Sequence, residues 1–395
     1  MMGQPRRKAT SMADSVTRFE TAFADWLGAD RAFAFWKGRV AMYAILKALG
    51  VGGGDEVILP GYTCVVAVNP IKFLGTTPVY VDIEPATYNI NPACIEAKIS
   101  PRTRAIVAQH TYGYPAEMDR ILAIAEKHGL PVIEDACLAV GSTYKGRKAG
   151  TLGRAAFWSF QWNKTFTTGI GGMVTTSDAD LADRLARLQT EETCRPGFKE
   201  NVMLTLQRGV RKAILFPKTF MLLQSAFRWM VDHGLALGSS ATREYRQAQD
   251  PDFFKVMGAG QGRAGAREVR RLEANLAHRR QMADLYASLL DDAGWPRPPL
   301  PDHIDPVLVR YPVRVADKAA ALALAAERRV ELGDWFESPL HQALASLDQY
   351  DYHEGTCPNA EQAAREVVNL PMHRRVRERH ARQAVDLIRE IGPAR

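Results

Sequence analysis

The stretch RAIVAQHTYGYPAEMDRILAIAEKHGLPVIEDA (104–136) carries the pattern on which the fold rests. RAIVAQH and LPVIEDA are short apolar runs without polar alternation, and MDRILAIAEKHG between them repeats its apolar residues at helical spacing. Runs of that kind suit strands buried on both faces, so strand–helix–strand here predicts two parallel strands joined by a crossover helix. The rhythm continues outward. GRVAMYAILKAL (38–49) reads as a helix, GVGGGDEVILP (50–60) as a turn and strand, and CVVAVNPIKFLG (64–75) as a helix. TPVYVDI (77–83), AAFWSF (155–160) and GGMVTT (171–176) read as further strands. The expected fold class is α/β with a mainly parallel central sheet and a smaller α+β unit at the C-terminal end.

That smaller unit is read from VLVRYPVRV (307–315) as a strand, DKAAALALAAERR (317–329) as a helix, EQAAREVVNLPMH (361–373), and a last helix in ERHARQAVDLIREIG (378–392). AREVRRLEANLAHRRQMADLYASLL (266–290) reads as one long helical stretch leading into it, and the glycine-rich GAGQGRAG (258–265) marks the expected boundary. The division is a tail and helix over 1–30, a large domain over 31–258 and a small domain over 259–395. A chain of 395 residues, 46% hydrophobic and 24% charged, suits two such domains and excludes large-scale disorder. The excess of 51 Lys and Arg over 44 Asp and Glu is modest at this length and forms no basic block interleaved with aromatics, which argues against nucleic acid. Five cysteines (64, 94, 137, 194 and 357) include no CxxC pair, which argues against a disulfide framework and a zinc site. The opening MMGQPRRKATSMADS has no apolar secretory core, so a cytoplasmic protein is expected.

Three features carry chemistry. Gly38, Arg39 and Val40 open a helix, where free N–H groups and the helix dipole favour a phosphate. Asp135 ends an apolar strand, and ligands in open α/β folds gather at the carboxyl ends of strands. SFQWNK places Ser159 five residues before Lys164, ahead of the loop TFTTGIGG. Donors for a phosphate, a carboxylate for a pyridine nitrogen and a lysine for an aldehyde together describe a pyridoxal phosphate pocket.

With these residues the chain resembles the DegT/DnrJ/EryC1/StrS family of sugar aminotransferases, a branch of the fold-type I pyridoxal phosphate enzymes. The resemblance runs through GRVAMYAILKALGVGGGDEVILPGYT, PVYVDIEPATYNI, RTRAIVAQHTYGYPAEMD, HGLPVIEDA, SFQWNK, GIGGMVTT and the late NLPMH. It implies that Lys164 anchors the cofactor covalently and then moves the proton, that Asp135 pairs with the pyridine nitrogen, and that Ser159 with the Arg39–Val40 backbone holds the phosphate. Lysine at 164 points to transamination, since relatives with histidine there resemble sugar dehydratases. The implied reaction moves an amino group from glutamate to a keto sugar, nucleotide-linked, within a homodimer that shares its active sites. A ketocyclitol aminotransferase and a non-catalytic member of the same fold are the alternatives.

The chain departs from the family pattern at several points. Arg39 stands where a threonine is usual, and either adds a phosphate contact or points to solvent. Cys64 stands where an aromatic residue often covers the pyridine ring, with Tyr62 two positions earlier. DACLAVG (135–141) puts Leu138 and Val140 in place of a polar pair. GAGQGR replaces the segment that lends a phosphate contact from the other subunit, leaving Gln261 or Arg263 for that task. Tyr62, His110, His341 and His373 are the expected substrate-side residues, although His110 also suits an internal strand-end cap. No pair of His or Cys has metal-ligand spacing.

The segment AILFPKTFMLLQSAFRWMVDHGLAL (213–237) is the most apolar of the chain. On a helix Ser225, Arg228 and Asp232 would fall within roughly 80° of one another, leaving a broad apolar face. Three readings stay open: a helix packed on the body or on the dimer partner, a helix lying in a membrane interface beside Arg208, Arg211, Lys212, Lys218 and Trp229, or a lid over the substrate.

Overall fold

The computed structural model describes residues 12–214, 230–231, 236–238, 249–297, 299–342 and 346–394. The helix expected over 213–237, and with it the membrane-contact reading, therefore lies almost wholly outside the described residues. No helix among those described is long and apolar enough to cross a membrane.

The first half of the chain runs α1 (Met12–Leu27), β1 (Arg31–Phe35), α2 (Gly38–Ala48), β2 (Glu56–Pro60), β3 (Thr63–Cys64), α3 (Val65–Phe73) and β4 (Thr77–Val81). It continues through β5 (Thr103–Gln109), α4 (Met118–Lys127), β6 (Val132–Asp135), β7 (Thr143–Tyr144), β8 (Arg147–Lys148), β9 (Ala155–Ser159), β10 (Gly172–Thr176), α5 (Ala179–Glu191) and α6 (Phe198–Ile214). The seven-stranded sheet has the order β1-β10-β9-β6-β5-β2-β4. The pairs β2–β4, β2–β5, β5–β6 and β6–β9 are parallel, and β10 runs antiparallel to both its neighbours. Every residue of β2, β6 and β10 is buried, the two-sided burial expected of unalternating apolar strands.

The long helical stretch expected after residue 266 is two helices. One spans Ala259–Val269, the other Leu272–Asp292, with the break at Arg270–Arg271. The glycine-rich run is thus helix from Ala259 onward, and its glycines permit close packing on α1. A Cβ at Gly265 would strike the Phe19 ring. Beyond it lie β11 (Ile304–Asp305), β12 (Arg310–Arg314), β13 (Leu340–His341) and β14 (Val367–Pro371), with helices at Lys318–Arg328, Pro358–Glu366 and Glu378–Ile391. β12 and β14 form an antiparallel pair. β13 crosses back and pairs in parallel with β3, matching Leu340 to Thr63 and His341 to Cys64. This two-residue contact brings the late loop 335–341 onto the strand ends of the large sheet.

On α6, Phe198, Val202, Leu206 and Val210 recur every fourth residue and face outward, Phe198 at 86% exposure and Leu206 at 64%. A row at that spacing lies along one helix face.

Candidate functional site

β2, β5, β6 and β9 run parallel, so the residues at their carboxyl ends gather at one edge of the sheet. The β5–β6 register sets Gln109 beside Asp135, and the β6–β9 register sets Asp135 beside Phe157, two residues before Ser159. Asp135 is buried and accepts a hydrogen bond from Cys137 N–H at 3.1 Å. Burial pushes its carboxyl above the ordinary aspartate range, against the pull of Cys137, Lys164 and His110. A buried carboxyl in that condition is completed by a cation.

Its neighbour Glu134 points to the other face of the strand, as the two-residue period requires. Burial alone would raise Glu134, but the His110 ring and the Gly153 and Gly150 amides outweigh it and hold the carboxylate below its usual range. His110 Nε2–H donates to Glu134 Oε2 at 2.9 Å, while Ala116 N–H donates to His110 Nδ1 at 3.0 Å. Gly150, Leu152 and Gly153 N–H complete the set at 2.6, 2.7 and 2.6 Å. His110 is fully buried with both ring nitrogens engaged, so it braces the strand ends.

The two expected phosphate donors come together. A Cβ on Gly38 would lie 2.8 Å from Ser159 Cβ, so only glycine lets the start of α2 approach the end of β9 this closely. Val40 N–H closes the first turn on Lys37 O at 3.1 Å, and any phosphate contact from Val40 must share that hydrogen. Arg39 is 7% exposed, which rules out the solvent-pointing orientation. Its charge acts on the Cys64 thiol, placing the guanidinium on the site side of α2.

Lys164 lies beyond β9 in the loop that returns to β10. Its backbone N–H donates to Gln161 O at 3.1 Å, while its Nζ makes no hydrogen bond or ion pair among the described residues and sits 5.2 Å from the centroid of the Trp335 ring. Its charge acts on Asp135, Cys64 and Cys137, which places all four around one space. Cys64 caps α3, with its Sγ–H donating to His341 O at 3.7 Å. Burial raises both thiols, so they remain protonated. Leu138 is buried in the turn that leaves Asp135.

His341 reaches this space through β13. It is 4% exposed, accepts from Glu337 N–H at Nδ1 over 3.3 Å, and leaves Nε2 buried with no partner among the described residues. Burial, with Lys318, Arg310 and Lys164 nearby, brings its pKa down to about 4, so the ring is neutral with its proton on Nε2.

Other expected site residues are elsewhere. Tyr62 is fully buried among Tyr88, Tyr112 and Phe336, shares a 2.9 Å hydrogen bond with the Tyr112 hydroxyl and accepts from Phe336 N–H at 3.3 Å. It supports the 335–336 loop through Phe336. His373 is partly exposed and pairs with Glu331 at 2.9 Å, outside the Lys164 group. Gln261 is buried, accepts from Gly258 N–H at 2.7 Å and donates to Ile170 O at 2.6 Å. It caps its own helix and anchors the lysine loop. Arg263, on the same helix, is exposed. Sequence reasoning missed Glu134, Trp335 and Arg310. The first was visible in IEDA; Trp335 rides on the loop ahead of β13 and Arg310 on β12, which pairs with β14, and neither carries a local signal.

The chain matches the DegT/DnrJ/EryC1/StrS aminotransferase family over residues 5–205 and 223–389. It is 30% identical to the spore coat polysaccharide biosynthesis protein SpsC of Bacillus subtilis, over 96% of this chain and 90% of that protein. A higher identity, 47%, relates 180 residues to GDP-perosamine synthase of Caulobacter vibrioides, a match spanning 46% of this chain and about half, 48%, of that protein. Among solved structures, S. venezuelae DesV superposes with a TM-score of 0.73 at 27% identity, covering 95% of this chain and 88% of DesV. With the whole-chain match and the fold in agreement, the chain belongs to the DegT/DnrJ/EryC1/StrS aminotransferase family.

Proposed function

We propose that this chain is a pyridoxal phosphate-dependent aminotransferase that moves the amino group of glutamate to a nucleotide-linked keto sugar in glycan biosynthesis. The observation that carries the reading is the convergence of Lys164, Asp135 and the Gly38–Ser159 approach at one edge of the sheet. These residues fit the cofactor. The start of α2 and Ser159 offer donors to a phosphate, the raised Asp135 carboxyl lacks a cation that a pyridinium nitrogen supplies, and the unpaired Lys164 amine is free to bond an aldehyde. When bound, pyridoxal phosphate supplies the electron sink that lets a carbon–hydrogen bond next to nitrogen break.

The chain's own residues do the rest. Asp135 holds the ring nitrogen protonated, and burial strengthens that pair. Arg39 adds positive charge beside the phosphate seat. Lys164 Nζ would bond the cofactor's aldehyde carbon and would serve as the base that takes up and gives back the proton of the donor carbon. Over the full cycle glutamate gives its amine and a hydrogen and leaves as 2-oxoglutarate, while the ketone becomes an amino sugar. The relatives named for polysaccharide biosynthesis and GDP-perosamine synthesis support the sugar class.

The assembly is a cytoplasmic homodimer with shared sites. Arg208 on α6 donates to Gly260 O, so the apolar row of α6 and the exposed Arg263 lie on neighbouring helices. The small domain begins at about residue 259.

The test is spectroscopic. The purified, cofactor-supplemented protein is expected to be yellow, with borohydride fixing the cofactor to Lys164 and glutamate bleaching the band. Lys164→Ala should lose all three properties. A wild-type chain with neither the colour nor the glutamate half-reaction would sink the reading and favour a non-catalytic member of the fold. Screening the amine-loaded form against keto sugars and ketocyclitols then separates the two substrate classes.

A further inference from the structure

The wall opposite Asp135 is built around Trp335. Arg310, from β12, stacks its guanidinium 4.4 Å from the centroid of the Trp335 ring that carries Lys164 Nζ at 5.2 Å. Arg310 makes no hydrogen bond or ion pair among the described residues, and its Nε is fully buried without an acceptor. Space is kept for it: a Cβ at Gly333 would collide with the guanidinium. His341 presents a second buried donor to the same aromatic wall, its Nε2–H unpartnered and its ring 6.2 Å from Trp335. A buried donor without an acceptor costs about 1–3 kcal/mol, and a guanidinium costs more. Two such donors beside one ring describe a seat for an oxyanion.

We propose that Arg310, oriented by Trp335 and assisted by His341 Nε2–H, binds a carboxylate of the amino donor. The proposal rests on the aminotransferase reading above and adds the residue that selects its donor. Arg310 and Lys164 are separated by no more than the sum of their two distances to the shared ring. An extended glutamate spans ~5 Å from its amine to its distal carboxylate carbon, and an ion pair adds ~4 Å, so one donor molecule bridges the two charges. Glu331 and Asp334 act on Arg310 without pairing with it. With two acids close by, a single carboxylate fits the lone guanidinium, and the denser charge of a diphosphate does not.

The test separates the two oxyanions. Glutarate, a dicarboxylate that cannot react, is titrated calorimetrically into the cofactor-loaded protein, and each half-reaction is followed by absorbance. Arg310→Gln is expected to weaken glutarate binding and raise the KM for glutamate by ~10-fold or more, while the keto-sugar half-reaction stays within about twofold. Arg310→Lys, which keeps the charge but loses the planar fork, should recover part of the glutarate affinity. Unchanged glutarate affinity in Arg310→Gln overturns the proposal. So does a defect confined to the keto-sugar half-reaction, which would assign the seat to the substrate phosphate. Failure of the Lys164 reading would show instead as a wild-type protein that borohydride does not label, an outcome the glutarate titration does not depend on.

Discussion

Glu134 and His110 stand on one side of the site with their polar groups paired, while Arg310 and His341 on the other side keep buried N–H groups that no described residue accepts. Both pairs are deep in the protein and both combine a histidine with a charged residue. The difference lies in completion. The first network is closed by backbone amides of its own chain, so its task is to hold the end of β6. The second is open, so its task is to receive something from outside. Burial and proximity to the lysine do not distinguish the two pairs; hydrogen-bond accounting does.

The comparison can be broken most forcefully at Glu134. Glu134→Ala leaves three backbone amides and the His110 ring without their acceptor, and should cost about 3–5 kcal/mol in urea unfolding. A loss below about 1 kcal/mol would show that the closed network does not brace the strand. His341 sharpens the other side. Its folded pKa of about 4 lies below the ordinary histidine range because the ring is buried. The unfolded chain therefore takes up the proton first, and stability falls as pH drops from about 6.5 to 4, by on the order of 3 kcal/mol from this group. His341→Gln should flatten that part of the pH–stability curve, and an unaltered slope would count against the neutral buried ring. The smallest effect is expected at Tyr62. Tyr62→Phe removes hydroxyl hydrogen bonds inside an otherwise closed aromatic cluster, at about 1 kcal/mol, with the glutamate half-reaction within about twofold of wild type. A large kinetic defect with little loss of stability would return Tyr62 to the substrate side.

The strand-borne part of this site was legible from local pattern because a buried parallel strand announces both its length and its end. Asp135 and Ser159 are each the last residue of such a run, and the start of α2 is marked by the apolar periodicity that follows Gly38. The closure of His110 was legible only as one of two options, because its partner Glu134 faces away from Asp135 along the same strand. The surroundings of Gln261 were not legible because its two partners, Gly258 N–H and Ile170 O, lie 3 and 91 residues away, and the second is a contact that no local pattern shows. The surroundings of Tyr62 were not legible either: residues 61–62 form a bend ahead of β3, so the period-two alternation that would set Tyr62 on the face of Cys64 does not apply there.

The sequence by itself determined the parallel sheet, the strand ends that carry Asp135 and Ser159, the lysine and the family, because those signals repeat over short spans. Tertiary structure alone decided which of the four expected substrate-side residues is in reach of Lys164, and it chose His341. It also supplied Trp335 and Arg310. His341 and Trp335 arrive through the parallel pairing of Leu340–His341 with Thr63–Cys64, two residues of pairing that leave no periodicity to read, and Arg310 arrives through β12, whose partner β14 lies more than fifty residues on.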